Sequence, residues 1–121
     1  MILSSFLLFS CSKVEKTITS LNIVKGTFDM GDVTSDTVVN GYFIVANNTL
    51  NTIKYKRILI DCSCTALYLN EGDSILAGKT DTIYCSFNST GLVNGNVKSP
   101  IRVITDTDVD LNRFYIVGTI K

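Results

Sequence analysis

The sequence predicts an all-β protein, an antiparallel β-sandwich of about seven strands. Three observations carry that expectation. From Thr17 to Lys121 no stretch keeps the i, i+3, i+4, i+7 spacing of an amphipathic helix. Threonine, valine, isoleucine and aromatic residues fill short runs instead. Gly, Asn, Asp and Ser clusters interrupt those runs where hairpins would turn.

Length and charge bound the possibilities. A chain of 121 residues is one domain, and folding at that size buries roughly 65% of the unfolded surface. Eleven basic and eleven acidic residues cancel, and no basic stripe carries interleaved aromatics. Nucleic-acid binding is therefore not expected. Histidine is absent, which removes Ser-His and Cys-His nucleophile pairs and imidazole metal sites. No hydrolytic base–nucleophile pair can be assembled, so the chain is read as a non-enzyme without a cofactor.

The amino terminus reads as an address. Met1 to Ser10 is an uncharged, mostly apolar run that stops at Cys11, and polar residues follow at once. Its length suits a signal-peptide core, well short of the ~20 residues of a spanning helix. Leu8-Phe9-Ser10-Cys11 resembles the lipobox of bacterial lipoproteins, although Phe9 is bulky for its place and no cation precedes the run. The resemblance implies residues 1–10 as signal peptide, Cys11 as the acylated first mature residue, and residues 11–20 as a lipidated tether. The sandwich domain then occupies residues 21–121. Two or three acyl chains, at about 0.8 kcal/mol per buried methylene, would anchor it stably.

The strands follow in order. Thr19–Met30 is a first strand region closing at Gly31-Asp32, and Thr37–Ala46 a second ending in the Asn47–Asn51 turn. Ile53–Cys62 is the third, and Thr80–Asn88 the fourth, after a loop containing Glu71-Gly72-Asp73. Lys98–Thr105 and Asn112–Ile120 complete the set. Alternation puts Phe43 and Val45 on one face, then Ile83, Cys85 and Phe87, then Ile101 and Val103, then Ile116. The third strand changes phase, with Ile53 and Tyr55 odd but Ile58, Ile60 and Cys62 even. A bulge near Lys56-Arg57 would reconcile them. The expected core is Phe43, Val45, Ile58, Ile83, Phe87, Ile101, Val103 and Ile116.

Thr27-Phe28-Asp29-Met30-Gly31-Asp32-Val33, Tyr42-Phe43-Ile44-Val45-Ala46-Asn47-Asn48 and Asp61-Cys62-Ser63-Cys64-Thr65 look like the opening motifs of the DUF1573 family. Ala77-Gly78, Cys85-Ser86-Phe87-Asn88 and Tyr115–Ile120 resemble its later ones. In the family's Cys-Gly-Cys-Thr tetrad, Ser63 here replaces glycine, and Ala77 stands where proline is usual. A glycine position with φ > 0 would leave Ser63 strained or the turn remodelled. The resemblance implies an immunoglobulin-like domain of the ASPM/SPD-2/Hydin kind, common among Bacteroidetes lipoproteins, with no established biochemical function.

Cys62, Cys64 and Cys85 remain after Cys11. Residues i and i+2 on an extended strand lie ~6.6–6.8 Å apart in Cα, the outer edge of disulfide geometry, so a Cys62–Cys64 bond needs a local turn. Cys-x-Cys could also hold Cu(I) or half a zinc site. The favoured expectation is three small buried thiols, Cys62 deeper than Cys64 and Cys85 inward. Asp61, Glu71, Asp73 and Asp81 flank the same region, and Asp106, Asp108 and Asp110 alternate like part of a calcium loop without its glycine.

The function expected is a lipid-anchored module of the bacterial cell envelope with a binding or scaffolding role. Its partners would be the membrane, through Cys11, and an envelope protein or glycan. The alternative is Cu(I) or redox handling by Cys62 and Cys64.

Overall fold

The structure, a computed structural model, describes residues 20–107 and 111–121. Nine strands make up those residues: β1 Asn22–Lys25, β2 Thr27–Val33, β3 Val38–Ala46, β4 Ile53–Ile60, β5 Thr65–Tyr68, β6 Ser74–Ile75, β7 Thr80–Asn88, β8 Gly95–Thr105 and β9 Leu111–Ile120. They form a four-stranded sheet, β1-β3-β7-β5, packed on a five-stranded sheet, β2-β9-β8-β4-β6. The expected β-sandwich is present, with two strands more than the sequence suggested.

The added strands and one pairing are corrections with physical causes. The first expected strand is two, because the chain breaks step at Gly26 and crosses between sheets. β1 joins β3 antiparallel, whereas β2 pairs β9 in parallel, so the larger sheet is mixed. A Cβ on Gly26 would stand 2.8 Å from the Ile23 side chain, so a larger residue there would have to push that side chain aside. The β2–β9 register slips between Asp29 and Asp32, where Gly31 takes φ +70° as a bulge needs. The stretch expected as a loop before Thr80 holds β5 and β6, too short to show a period.

The phase change in β4 is a bulge at Lys56. Tyr55 faces Thr105 and Arg57 faces Ile104, one residue out of step. Pairing of β4 with β8 ends at Ile60 opposite Ile101, one residue before Pro100, whose nitrogen has no proton to donate. That stop releases the chain into the cysteine turn.

The core lies between the sheets: Phe43, Val45, Ile83 and Phe87 from one, Tyr55, Ile101, Val103, Phe114 and Ile116 from the other. The Phe43 and Phe114 rings pack with centroids 5.0 Å apart. Seven of the eight expected core residues are buried, and Ile58 is the exception, being half-buried. Its register faces inward, opposite Val103, but β6 covers β4 only at Ile53 and Lys54. Beyond β6 the outer edge of β4 has no described strand beside it, which leaves Ile58 half-buried at the rim of the core. Gly41 has a packing reason: the Phe28 ring from the other sheet fills the space a Cβ would take.

Asn47 closes the β3 end. It is fully buried, and its Nδ2 donates to the carbonyls of Asn51 (2.8 Å) and Ile75 (2.9 Å). Its Oδ1 accepts from the Thr49 amide and hydroxyl, and its backbone pairs with Lys79 and Gly78. One side chain thus ties the β3–β4 loop to β6 and the turn after it. Ser89, also fully buried, does likewise for Thr34 and Thr37 at the opposite end.

Candidate functional site

Cys62-Ser63-Cys64-Thr65 forms a tight turn, with the Thr65 amide donating to the Cys62 carbonyl at 3.1 Å. The turn draws the two cysteine Cα atoms to 5.1 Å, inside disulfide range, and Cys62 and Cys64 are bonded. The expectation of free thiols at these two positions is corrected. The extended geometry that argues against the bond does not hold once β4 has ended at Ile60. In the bonded form neither sulfur is a thiolate for copper or zinc. Ser63 has no positive φ, so the turn is one that serine adopts without strain.

The expected ranking of the pair is corrected too. Both are half-buried, but Cys64 packs against the core and Cys62 does not. Cys64 is the last residue of the turn, directly before β5, and its carbonyl accepts from the Asn88 amide at 2.7 Å. Thr65 is buried, and its hydroxyl meets that of Ser99 at 2.8 Å, joining β5 of one sheet to β8 of the other.

Beside this turn lies an open cleft of about 320 Å³. Cys62, Cys64, Phe87, Leu92, Val93 and Val97 give it apolar walls, and Asp61 and Lys98 stand at its rim. Asp61 also pairs with Arg102 at 3.5 Å.

Cys85 is free and buried, as expected from its inward phase. Burial pushes its thiol up to about 11, against a smaller downward pull from its Gly41 backbone hydrogen bond and the Lys25 charge. A thiol held protonated is a poor nucleophile.

The carboxylates that flank the motif do not converge. Glu71 accepts from the Ile58 amide (2.9 Å) on the uncovered edge of β4. Asp73 accepts from the Asn70 amide (3.1 Å), closing the turn before β6. Asp81 accepts from the Tyr55 hydroxyl (3.3 Å) across the sandwich, and Asp106 from the Lys54 amide (3.0 Å). Burial and the Asp81 carboxylate raise the Tyr55 phenol far above its ordinary value. Among the described residues no three potential metal ligands cluster. Cys11, Asp108 and Asp110 lie outside the described residues.

The sequence reading misses Asn47 and Ser89 as anchoring side chains. An Asn or Ser beside a turn is the only signal, and it is shared with many solvated loop residues.

No curated protein sequence matches the chain, and the likenesses to solved structures are of fold. The PapD-like domain 7 of human CEP192 superposes with a TM-score of 0.68 at 9% identity, covering 98% of this chain and 96% of that one. A protein of unknown function from Porphyromonas gingivalis W83 gives 0.66 at 10% identity over 82% of this chain, which spans only 46% of the other. The periplasmic chaperone SfaE gives 0.58 at 10% identity, over 84% and 58%. These likenesses agree with an immunoglobulin-like sandwich fold. The profile described as "Protein of unknown function (DUF1573)" matches residues 21–120, the stretch that holds the cysteine turn, the Asn47 anchor and both sheets. The chain belongs to the DUF1573 family.

Proposed function

We propose that this chain is a lipid-anchored module of the bacterial cell envelope that binds an envelope protein or glycan and does no chemistry of its own. One observation carries the non-catalytic part. The groups that could react are engaged in holding the fold: Cys62 with Cys64, Cys85 in the core, and Glu71, Asp73, Asp81 and Asp106 on backbone amides or Tyr55. The apolar run ending at Cys11 supports the anchor. Fully extended, the residues between Cys11 and Leu21 would reach about 30 Å, keeping the domain close to the bilayer.

Mass spectrometry of the native protein tests the anchor. Diacyl- or triacylglyceryl-cysteine at Cys11 is expected, and Cys11→Ser should move the chain from the membrane to the soluble fraction. A mature chain that keeps Met1 overturns it.

A second reading is Cu(I) or redox handling, favoured by one feature: both bonded cysteines line an open cleft, where a dithiol could approach them. Full reduction of Cys62–Cys64 under mild thiol, followed by Cu(I) protection of both sulfurs from alkylation, would support it.

A further inference from the structure

The outward face of the β1-β3-β7-β5 sheet carries a row of tyrosines. Tyr84 on β7 is directly paired with Tyr42 on β3 and with Tyr68 on β5, so three phenol side chains stand abreast on adjacent strands. They are 42%, 59% and 63% exposed for Tyr42, Tyr84 and Tyr68. Aromatic residues on adjacent strands stabilise a sheet by packing together, yet about half of each side chain here still faces water.

The row is held in place. The Tyr68 hydroxyl is 3.0 Å from the Ser86 hydroxyl. At the other end Lys25 Nζ sits 4.1 Å from the Tyr42 ring centroid and donates to the Tyr42 carbonyl at 3.2 Å. Side chains fixed before binding lose less entropy on binding.

We propose that this face binds a polysaccharide chain, with Tyr42, Tyr84 and Tyr68 stacking against its sugar rings. A pyranose presents an apolar face of C–H bonds, faintly positive, which suits the electron-rich face of an aromatic ring. Its hydroxyl rim needs donors and acceptors, and exposed Asn40 and Thr82 stand at outward positions on either side of the row. The charge fits as well. Among the described residues no carboxylate occupies an outward register position on this sheet, and Lys25 gives the face its charge. A neutral or acidic sugar chain is admitted, and a cationic one gains nothing.

The proposal deepens the envelope-module reading and rests on it for where the glycan is met, but the two fail separately. The full mature protein is run by native electrophoresis through gels holding hydroxyethylcellulose, alginate or chitosan, and is pelleted with peptidoglycan sacculi. Retardation by a neutral or acidic polymer, or pelleting, is expected, and chitosan should not act. Tyr84→Ala should weaken binding at least tenfold, Tyr84→Phe should keep it, and Leu50→Ala, at an exposed site in a distant loop, should leave it unchanged. With no tryptophan in the chain, tyrosine fluorescence reports the same titration directly. Circular dichroism checks that each variant is folded. Failure to bind any of these polymers, or binding that a folded Tyr84→Ala retains, overturns the proposal. So does Tyr84-dependent capture of a protein in place of sugar. A missing lipid on Cys11 would end the anchor reading and leave these results standing.

Discussion

The hydroxyls of Thr65 and Ser99 lie 2.8 Å apart, both buried, and hydrogen-bond from one sheet of the sandwich to the other beside the Cys62–Cys64 disulfide. The last residue of the cysteine motif therefore has a structural task. It fixes the turn to the facing sheet, and each hydroxyl satisfies the other where water does not reach.

That pairing predicts an asymmetry. Thr65→Val should cost about 1–3 kcal/mol, because it strands the Ser99 hydroxyl in the interior. Adding Ser99→Ala should recover most of the loss, since removing both partners leaves nothing unsatisfied. Urea unfolding of the two single variants and the double variant reads the cycle.

Asn47→Ala should be among the most damaging single changes, at about 3 kcal/mol. It leaves the Thr49 amide and the Ile75 carbonyl without their side-chain partner, and takes one of two hydrogen bonds from the Asn51 carbonyl and from the Thr49 hydroxyl. Thermal unfolding with a matched Asn48→Ala control, at an exposed neighbour, separates the anchor from the loop.

Ala77→Pro should stabilise by about 0.4–1 kcal/mol. Leu76–Lys79 is a turn closed by the Lys79 amide on the Leu76 carbonyl at 3.1 Å, with Gly78 at φ +77°. This is the type II pattern, in which the position before the glycine favours proline. Ala77 is exposed, so nothing need repack. A rise in the urea midpoint at unchanged slope is the expected result.

Alkaline pH should weaken the fold in a defined order. The Cys85 thiol is raised from 9.0 to about 11, so its neutral form is the one the fold favours. That stability is whole below about pH 9 and is lost as pH climbs through 11. The raised Tyr55 phenol adds a further loss that begins higher. Melting temperature against pH should fall from about pH 9, later in Cys85→Ala than in the parent chain.

The sheets were legible in the sequence because a period of two survives wherever one face is buried, as in Phe43-Val45, Ile83-Phe87 and Ile101-Val103. The Lys56 bulge was legible for the same reason, since it moves Tyr55 and Ile58 onto opposite parities. The parallel β2–β9 pair was not. It depends on the chain crossing between sheets at Gly26, a choice that no local pattern encodes. The disulfide was missed because strand spacing misleads once the chain has turned. The tyrosine row was half legible: the outward phases of Tyr42 and Tyr84 can be read, but their register with Tyr68 comes only from pairing.

The central claim is that the residues which look reactive here hold the fold, and the state of the cysteines tests it most directly. Protein purified from envelopes without reductant is alkylated first folded, then after denaturation, and its peptides are weighed. The account predicts no label on Cys62 or Cys64 in either condition, a linked peptide carrying both, and Cys85 labelled only once the chain unfolds. Rapid labelling of Cys62 and Cys64 in the folded protein would contradict it and transfer the motif to thiol chemistry.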